Sequence, residues 1–234
     1  MEISEEKLTS YLYDKSRKIK IFKETSSTNK AAQELGGVVI AECQTDGYGK
    51  YGRSFFSPYG GLYMSLVLPF DRTPAEFTMK AAVASCRAIE TVCKKNVGIK
   101  WVNDIILDNK KVGGILAESN GQDVIIGIGL NVLTGAFPPS LPHAGSILQD
   151  TDTDILTPLA AKIINLIYSE DISIYDEYKS RMVLMGEYIQ VTQGDDVYKA
   201  KPIALEQDGR LVVEKCDGTK ISLIAGEIDR IIHA

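Results

Sequence analysis

The sequence predicts an α+β protein: a mixed β-sheet flanked by helices, followed by a small β-barrel. Short apolar runs at residues 38–43, 62–69 and 124–130 have the length and composition of strands. Residues 75–95 between them carry apolar side chains at helical spacing. After Gly186 the texture changes to short strands separated by Asp-Gly turns, the pattern of a small barrel.

Taken in order, Ile3, Leu8 and Leu12 suggest a short amphipathic helix over residues 3–15. Ile19, Ile21 and Phe22 place a strand at Lys18–Lys23. In the run ETSSTNKAAQELGG, Ser27 or Thr28 caps a helix through Ala31–Leu35, which Gly36 stops. Ser26, Ser27 and Thr28 also cluster hydroxyls at a helix N-terminus, where they can face a ligand; taken alone, capping explains them. Val38–Cys43 and Leu62–Pro69 are strands, and helix Ala75–Lys95 turns Met79, Val83, Cys86, Ile89 and Cys93 toward the core as one stripe. A strand at Ile99–Val102 precedes a hairpin of Ile105–Leu107, the turn Asp108-Asn109, and Lys111–Glu118. Gly113 and Gly114 weaken that second strand unless a ligand or another backbone comes close. Strand Val124–Leu130 ends at Asn131, and a proline-rich loop, Thr134–Asp154, leads to helices at Thr157–Tyr168 and Ile174–Met182. The barrel strands fall at Tyr188–Thr192, Val197–Leu205, Leu211–Lys215 and Thr219–Ile224. This divides the chain into domains 1–185 and 186–234.

A net charge of −5 over 234 residues argues against general nucleic-acid binding, so any anion site is local. No apolar run approaches the ~20 residues of a membrane span, and the first residues lack the pattern of a signal peptide, which points to the cytoplasm. Cys43, Cys86, Cys93 and Cys216 form no CxxC pair, so neither a disulfide framework nor a zinc site is expected. His143 and His233 read as plain surface histidines.

The stretch with the most chemistry is QTDGYGKYGRSFFSP, Gln44–Pro58. Gly47, Gly49 and Gly52 fall within six residues, with Lys50 and Arg53 among them, and no acidic residue occurs from Gly47 through Phe70. Glycines let the backbone approach a ligand closely, and successive exposed N–H groups form an anion-binding concavity. The plain alternative is a mobile surface loop.

Six segments in order then carry a resemblance. They are STN at Ser27–Asn29, QTDGYGKYGRSF at Gln44–Phe55, KWVND at Lys100–Asp104, KVGGILAE at Lys111–Glu118, GIGLN at Gly127–Asn131 and AGEI at Ala225–Ile228. Their order and spacing resemble the biotin protein ligases, in the short form without an N-terminal DNA-binding domain. The resemblance implies a class II aminoacyl-tRNA-synthetase-like catalytic domain of the biotin/lipoate ligase type, with a Src-homology-3-like C-terminal barrel. It implies the conversion of biotin and ATP, with Mg²⁺, to biotinyl-5′-AMP. Biotin then passes to a lysine of a biotin carboxyl carrier domain, with no nucleic-acid or membrane partner and with room for a homodimer. Two neighbouring readings remain: a lipoate–protein ligase, and a non-catalytic biotin or biotinyl-adenylate binding module.

Carried over by motif, the resemblance implies that Ser27, Thr28 and Gln44 bind the ureido end of biotin. Gly47, Gly49 and Lys50 wrap its carboxylate and the adenylate phosphate, and Gly113 and Gly114 let it lie against the strand. Lys111 is the cation bridging the reacting anions, and Arg53 with Lys100 faces the ATP phosphates. Phe55 stacks on adenine, while Asn103 and Asn131 hydrogen-bond nucleotide or phosphate. Asp104 orients Lys111, holds Mg²⁺ or takes a proton; otherwise the metal rides on the nucleotide phosphates. Trp101 reads as core packing. The loop is expected to be mobile until biotin and nucleotide bind. Tyr48 and Lys50 stand where the family carries arginines, which predicts a weaker hold on the adenylate. Phe55 replaces a tryptophan and Val102 a proline.

Overall fold

A computed structural model describes residues 3–151, 153–169, 174–224 and 226–230. Helix α1, Glu5–Tyr11, is capped by the Ser4 side chain and is shorter than the predicted 3–15, because the chain turns extended at Leu12. Strand β1, Ile19–Phe22, leads into α2, Thr28–Leu35. Ser27 caps α2, accepting from the Lys30 N–H, and Gly36 ends it at a φ of 68° that a side chain would resist. Strands β2, Val38–Ala41, and β3, Leu62–Pro69, flank the glycine-rich loop.

The long helix α3, Pro74–Cys93, begins with a capping box between Thr73 and Glu76 and with Pro74 in its first turn. Its predicted stripe is buried, but so are Phe77, Ala81, Ala82, Ala84 and Ala88. The reason is that α3 packs on the sheet through β6 and on helices α4, Leu156–Tyr168, and α5, Ile174–Arg181, at once. Strand β4, Gly98–Lys100, stops before Trp101, shorter than predicted, since residues 101–103 form a turn. Strands β5, Asp104–Leu107, and β6, Lys110–Ser119, join through Asp108 and Asn109, both at positive φ, the backbone that two-residue hairpin turns require. Strand β7, Asp123–Leu130, completes a seven-stranded sheet in the order β1-β2-β3-β7-β6-β5-β4. The sheet is mixed as predicted: β1 and β2 run parallel, and the other neighbours antiparallel.

The C-terminal segment folds into β8, Ile189–Gln193, β9, Asp196–Leu205, β10, Leu211–Lys215, β11, Lys220–Leu223, and β12, Glu227–Arg230. Their order is β11-β10-β9-β8-β12, all antiparallel. Strand β12 is additional to the four predicted strands. Within it only Ile228 is buried, so its pattern offers one apolar position where periodicity needs several. The four cysteines are free, with Cys86 and Cys93 buried; burial pushes the Cys86 thiol up to about 12. His143 is exposed, while His233 and Ala225 lie outside the described residues. No helix among the described residues is long and apolar enough to cross a membrane.

Candidate functional site

A cavity of about 370 Å³ opens between the glycine-rich loop, the face of β5–β6–β7, the α2 N-terminus and strand β12. Its floor is a pair of glycines: Gly114 on β6 stands opposite Gly129 on β7. With no side chains there, the Phe55 ring lies directly on the sheet; a Cβ at Gly129 would come within 2.5 Å of Phe55 Cε1. Lys111 Nζ lies beside this floor and pairs with Asp104 Oδ1 at 2.6 Å. Asp104 is a cross-strand neighbour of Gly114, and its other oxygen lies 3.8 Å from Lys100 Nζ. One carboxylate therefore sits between two lysines. The Lys111 backbone is fixed as well: its N–H donates to His143 O at 2.8 Å, and its carbonyl accepts from Gly145 at 2.9 Å.

The roof is the loop. Gly49 N donates to Arg53 O at 2.8 Å and Phe55 N to Gly47 O at 2.8 Å, which folds the loop on itself. Asp46 N donates to Ser26 O at 2.9 Å, tying its near end to the approach to α2. The Lys50 ammonium reaches into the cavity, and burial lowers its pKa, with Asp104 and Glu227 acting in the opposite direction. At the α2 end, Gln44 Oε1 accepts from Thr28 N at 2.8 Å and from Thr28 Oγ1 at 3.1 Å. The Gln44 amide donates to Ser57 Oγ at 2.9 Å, so this side chain spans both edges of the loop. On the open side, β12 supplies two carboxylates. Glu227 pairs with Arg53, and Asp229 pairs with Lys100 at 3.0 Å.

Cations opposed across a glycine floor suit a ligand whose anionic part is packed closely against backbone. Residues 18–131, which build the floor and the roof, match the model of the biotin/lipoate A/B protein ligase family. The bifunctional ligase/repressor BirA of Bacillus subtilis is 31% identical over 224 residues, covering 83% of this chain and 69% of that protein. This chain belongs to the biotin protein ligase family. The biotin–[acetyl-CoA-carboxylase] ligase of Mycobacterium tuberculosis is 28% identical, covering 91% of this chain and 88% of its own length. A solved biotin protein ligase from Aquifex aeolicus, in complex with biotin and ATP, superposes with a TM-score of 0.75 at 26% identity, covering 90% of this chain and 97% of that one.

Within this family frame, Ser27, Thr28, Gln44, Gly49, Lys50, Arg53, Phe55, Lys100, Asn103, Asp104, Lys111 and Gly114 all line the cavity. Three residues named from the sequence are not in its lining. Gly113 faces away, where a Cβ would meet Leu130 Cδ2 at 2.5 Å and Gly129 O at 2.8 Å. Gly47, within the loop, is buried, and a Cβ there would meet Ser57 Oγ at 2.6 Å. Asn131 is buried, its N–H donating to Val112 O at 2.8 Å and its carbonyl accepting from Ile147 at 2.8 Å. Asn103 spends its amide on Ile115 O at 2.8 Å, and Trp101 is buried with its indole N–H donating to Gly209 O at 2.9 Å. Sequence reasoning missed Asn29, Gly129, Leu141, Glu227 and Asp229 as lining residues. Asn29, Gly129 and Glu227 stand inside the motifs that carry the resemblance; Leu141 and Asp229 carry no local signal.

Proposed function

We propose that this chain is an ATP-dependent biotin protein ligase. A biotin carboxylate oxygen attacks the α-phosphorus of ATP, giving biotinyl-5′-AMP and pyrophosphate. The ε-amine of a carrier-domain lysine then attacks the anhydride carbonyl, forming the amide and releasing AMP. The observation that carries this reading is Lys111, held by Asp104 at 2.6 Å beside a glycine floor and facing a cation-bearing glycine loop. The first step brings two anions together, and a fixed ammonium between them offsets the repulsion most strongly where water is excluded.

Lys111 stabilises the charge that builds on the α-phosphate, and Asp104 orients it. Lys50, Arg53 and Lys100 face the phosphates. Ser27 and Thr28 bind the ureido end, with Gln44 positioning Thr28 through two hydrogen bonds. The backbone of Gly49 and Lys50 covers the carboxylate, while Gly47 and Gly113 act from behind, giving loop and strand room to pack. Phe55 presents a face to adenine across Gly114 and Gly129. Asn103 and Asn131 act indirectly, fixing the strands that carry these groups. No trio of His, Cys, Asp or Glu among the described residues is grouped to hold a metal ion. A Mg²⁺ carried on the nucleotide would offset the charge of the leaving pyrophosphate.

The acceptor is a biotin carboxyl carrier domain, and four free cysteines support a cytoplasmic setting. The test is incubation with biotin, ATP, Mg²⁺ and a carrier domain, read by streptavidin blot and by pyrophosphate release. Labelling of the carrier lysine is expected. Activation of lipoate in place of biotin would make the chain a lipoate ligase, and biotin binding without pyrophosphate release would make it a binding module.

A further inference from the structure

The side chain at the second position of the glycine loop does not reach toward the cations. Tyr48 turns to the sheet, where its hydroxyl donates to Glu118 Oε2 on β6 at 2.8 Å. The same oxygen accepts from Asn29 Nδ2 on α2 at 2.7 Å. Asn29 is fixed in turn, because its Oδ1 accepts from the buried Ser65 hydroxyl on β3 at 2.6 Å. Gly127 on β7 completes the seat, since a Cβ there would collide with the Asn29 amide. The loop and α2 thus converge on one carboxylate oxygen of β6, while β3 and β7 hold the Asn29 donor in place. Burial and the Glu118 hydrogen bond push the Tyr48 hydroxyl up to about 12, so it stays a proton donor across neutral pH.

We propose that Tyr48, Glu118 and Asn29 form a latch that holds the glycine loop over the cavity before any ligand binds. In this chain the latch takes over the retention of the activated acyl-adenylate that a ligand-facing cation would otherwise provide. Tyr48 is a positioning residue: it acts through the loop backbone rather than on the reacting atoms. A hydrogen bond to a charged acceptor is strong enough to shift a loop's open fraction about 10-fold or more. The acceptor is part of the fold, so the loop stays down whether or not a phosphate is present. This differs from the expectation of a loop mobile until ligand arrives.

The retention half of the proposal rests on the ligase reading; the latch itself does not. Two measurements keep them apart. Hydrogen exchange on the ligand-free protein reports the loop directly. Tyr48→Phe and Glu118→Ala should each speed exchange across residues 47–54 about 10-fold or more, and together should add little beyond the larger single effect. Glu118→Gln, which keeps an acceptor oxygen, should restore most of the protection. Release of biotinyl-5′-AMP, read as labelling of a bystander protein and divided by each variant's own rate of adenylate formation, should rise in the same order. Unchanged loop exchange in Tyr48→Phe overturns the latch even if the enzyme is active. Faster exchange without faster release overturns the retention role alone, and absence of adenylate in the unaltered protein overturns the ligase reading while leaving the exchange result to judge the latch.

Discussion

Lys111 is placed by the fold twice over, through its backbone to the 143–145 segment and through its ammonium to Asp104. A charge fixed in this way costs no reorganisation when the transition state forms, which is where electrostatic catalysis gains most. Lys111→Ala should therefore lower pyrophosphate release by about 100-fold or more. A variant within a few-fold of the unaltered rate would show that another cation carries the step. Lys50 differs because it is partly desolvated. Burial favours its neutral form, so its pKa lies below the ordinary lysine value. Below that depressed pKa it is charged; as pH rises through it, the charge that faces the phosphates is lost. Apparent KM for ATP should consequently climb on the alkaline side, and Lys50→Arg should move the climb to higher pH, because arginine stays protonated. Coincident KM profiles for the two proteins would exclude Lys50 from phosphate binding. Why some site residues were legible and their neighbours misread is also a matter of residue geometry. Gly113 and Gly114 are adjacent in one motif, yet successive strand residues face opposite sides of a sheet. Gly114 therefore floors the cavity while Gly113 packs on Leu130. A motif marks both glycines and cannot say which face is which.

At the scale of elements, the strands and helices of residues 19–130 follow periodicity, and the cation-bearing loop follows composition. Strand β12 follows neither. Its four residues place Glu227 and Asp229 on the cavity, with Ile228 turned to the core between them. Two carboxylates thus neutralise Arg53 and Lys100, the cations proposed to face the ATP phosphates, and a triphosphate has to compete with them. The Asp229 side chain is 55% exposed, so its pair with Lys100 is worth at most about 1 kcal/mol. Asp229→Asn should lower KM for ATP by up to about fivefold and leave KM for biotin unchanged. A higher KM for ATP would mean instead that Asp229 positions Lys100. Charge pairing between distant segments leaves no mark in a local window, so the sequence marks Glu227 only through its motif and does not mark Asp229, while the floor and roof are legible.

For the molecule as a whole, the proposed boundary near residue 186 divides structure more cleanly than it divides packing. Residues before it hold the seven-stranded sheet and the helices α3, α4 and α5, enough apolar surface for an independent core. Residues after it form a separate antiparallel sheet. Yet one hydrophobic cluster runs through both, and the contacts between them are specific. The Trp101 indole donates to Gly209 O at 2.9 Å, and Tyr175 donates to Leu205 O at 2.5 Å. Gly209 lies against α3, where a Cβ on it would come within 3.3 Å of Ala75 Cβ. Trp101 is the chain's sole tryptophan and sits at this seam, one residue from Lys100. A chain ending at Met185 should keep its far-UV circular dichroism, because the sheet and helices retain their own core. Its tryptophan emission should shift to the red as Trp101 loses its carbonyl partner and meets water, and its melting temperature should fall. Its KM for ATP should also change, because Arg53 and Lys100 lose Glu227 and Asp229 while the cavity loses a wall. An unfolded chain would mean that the second sheet is part of the first core rather than a domain laid against it. A folded chain with unshifted emission would mean that Trp101 is shielded by the larger part alone, and that the seam does not lie where this indole hydrogen bond puts it.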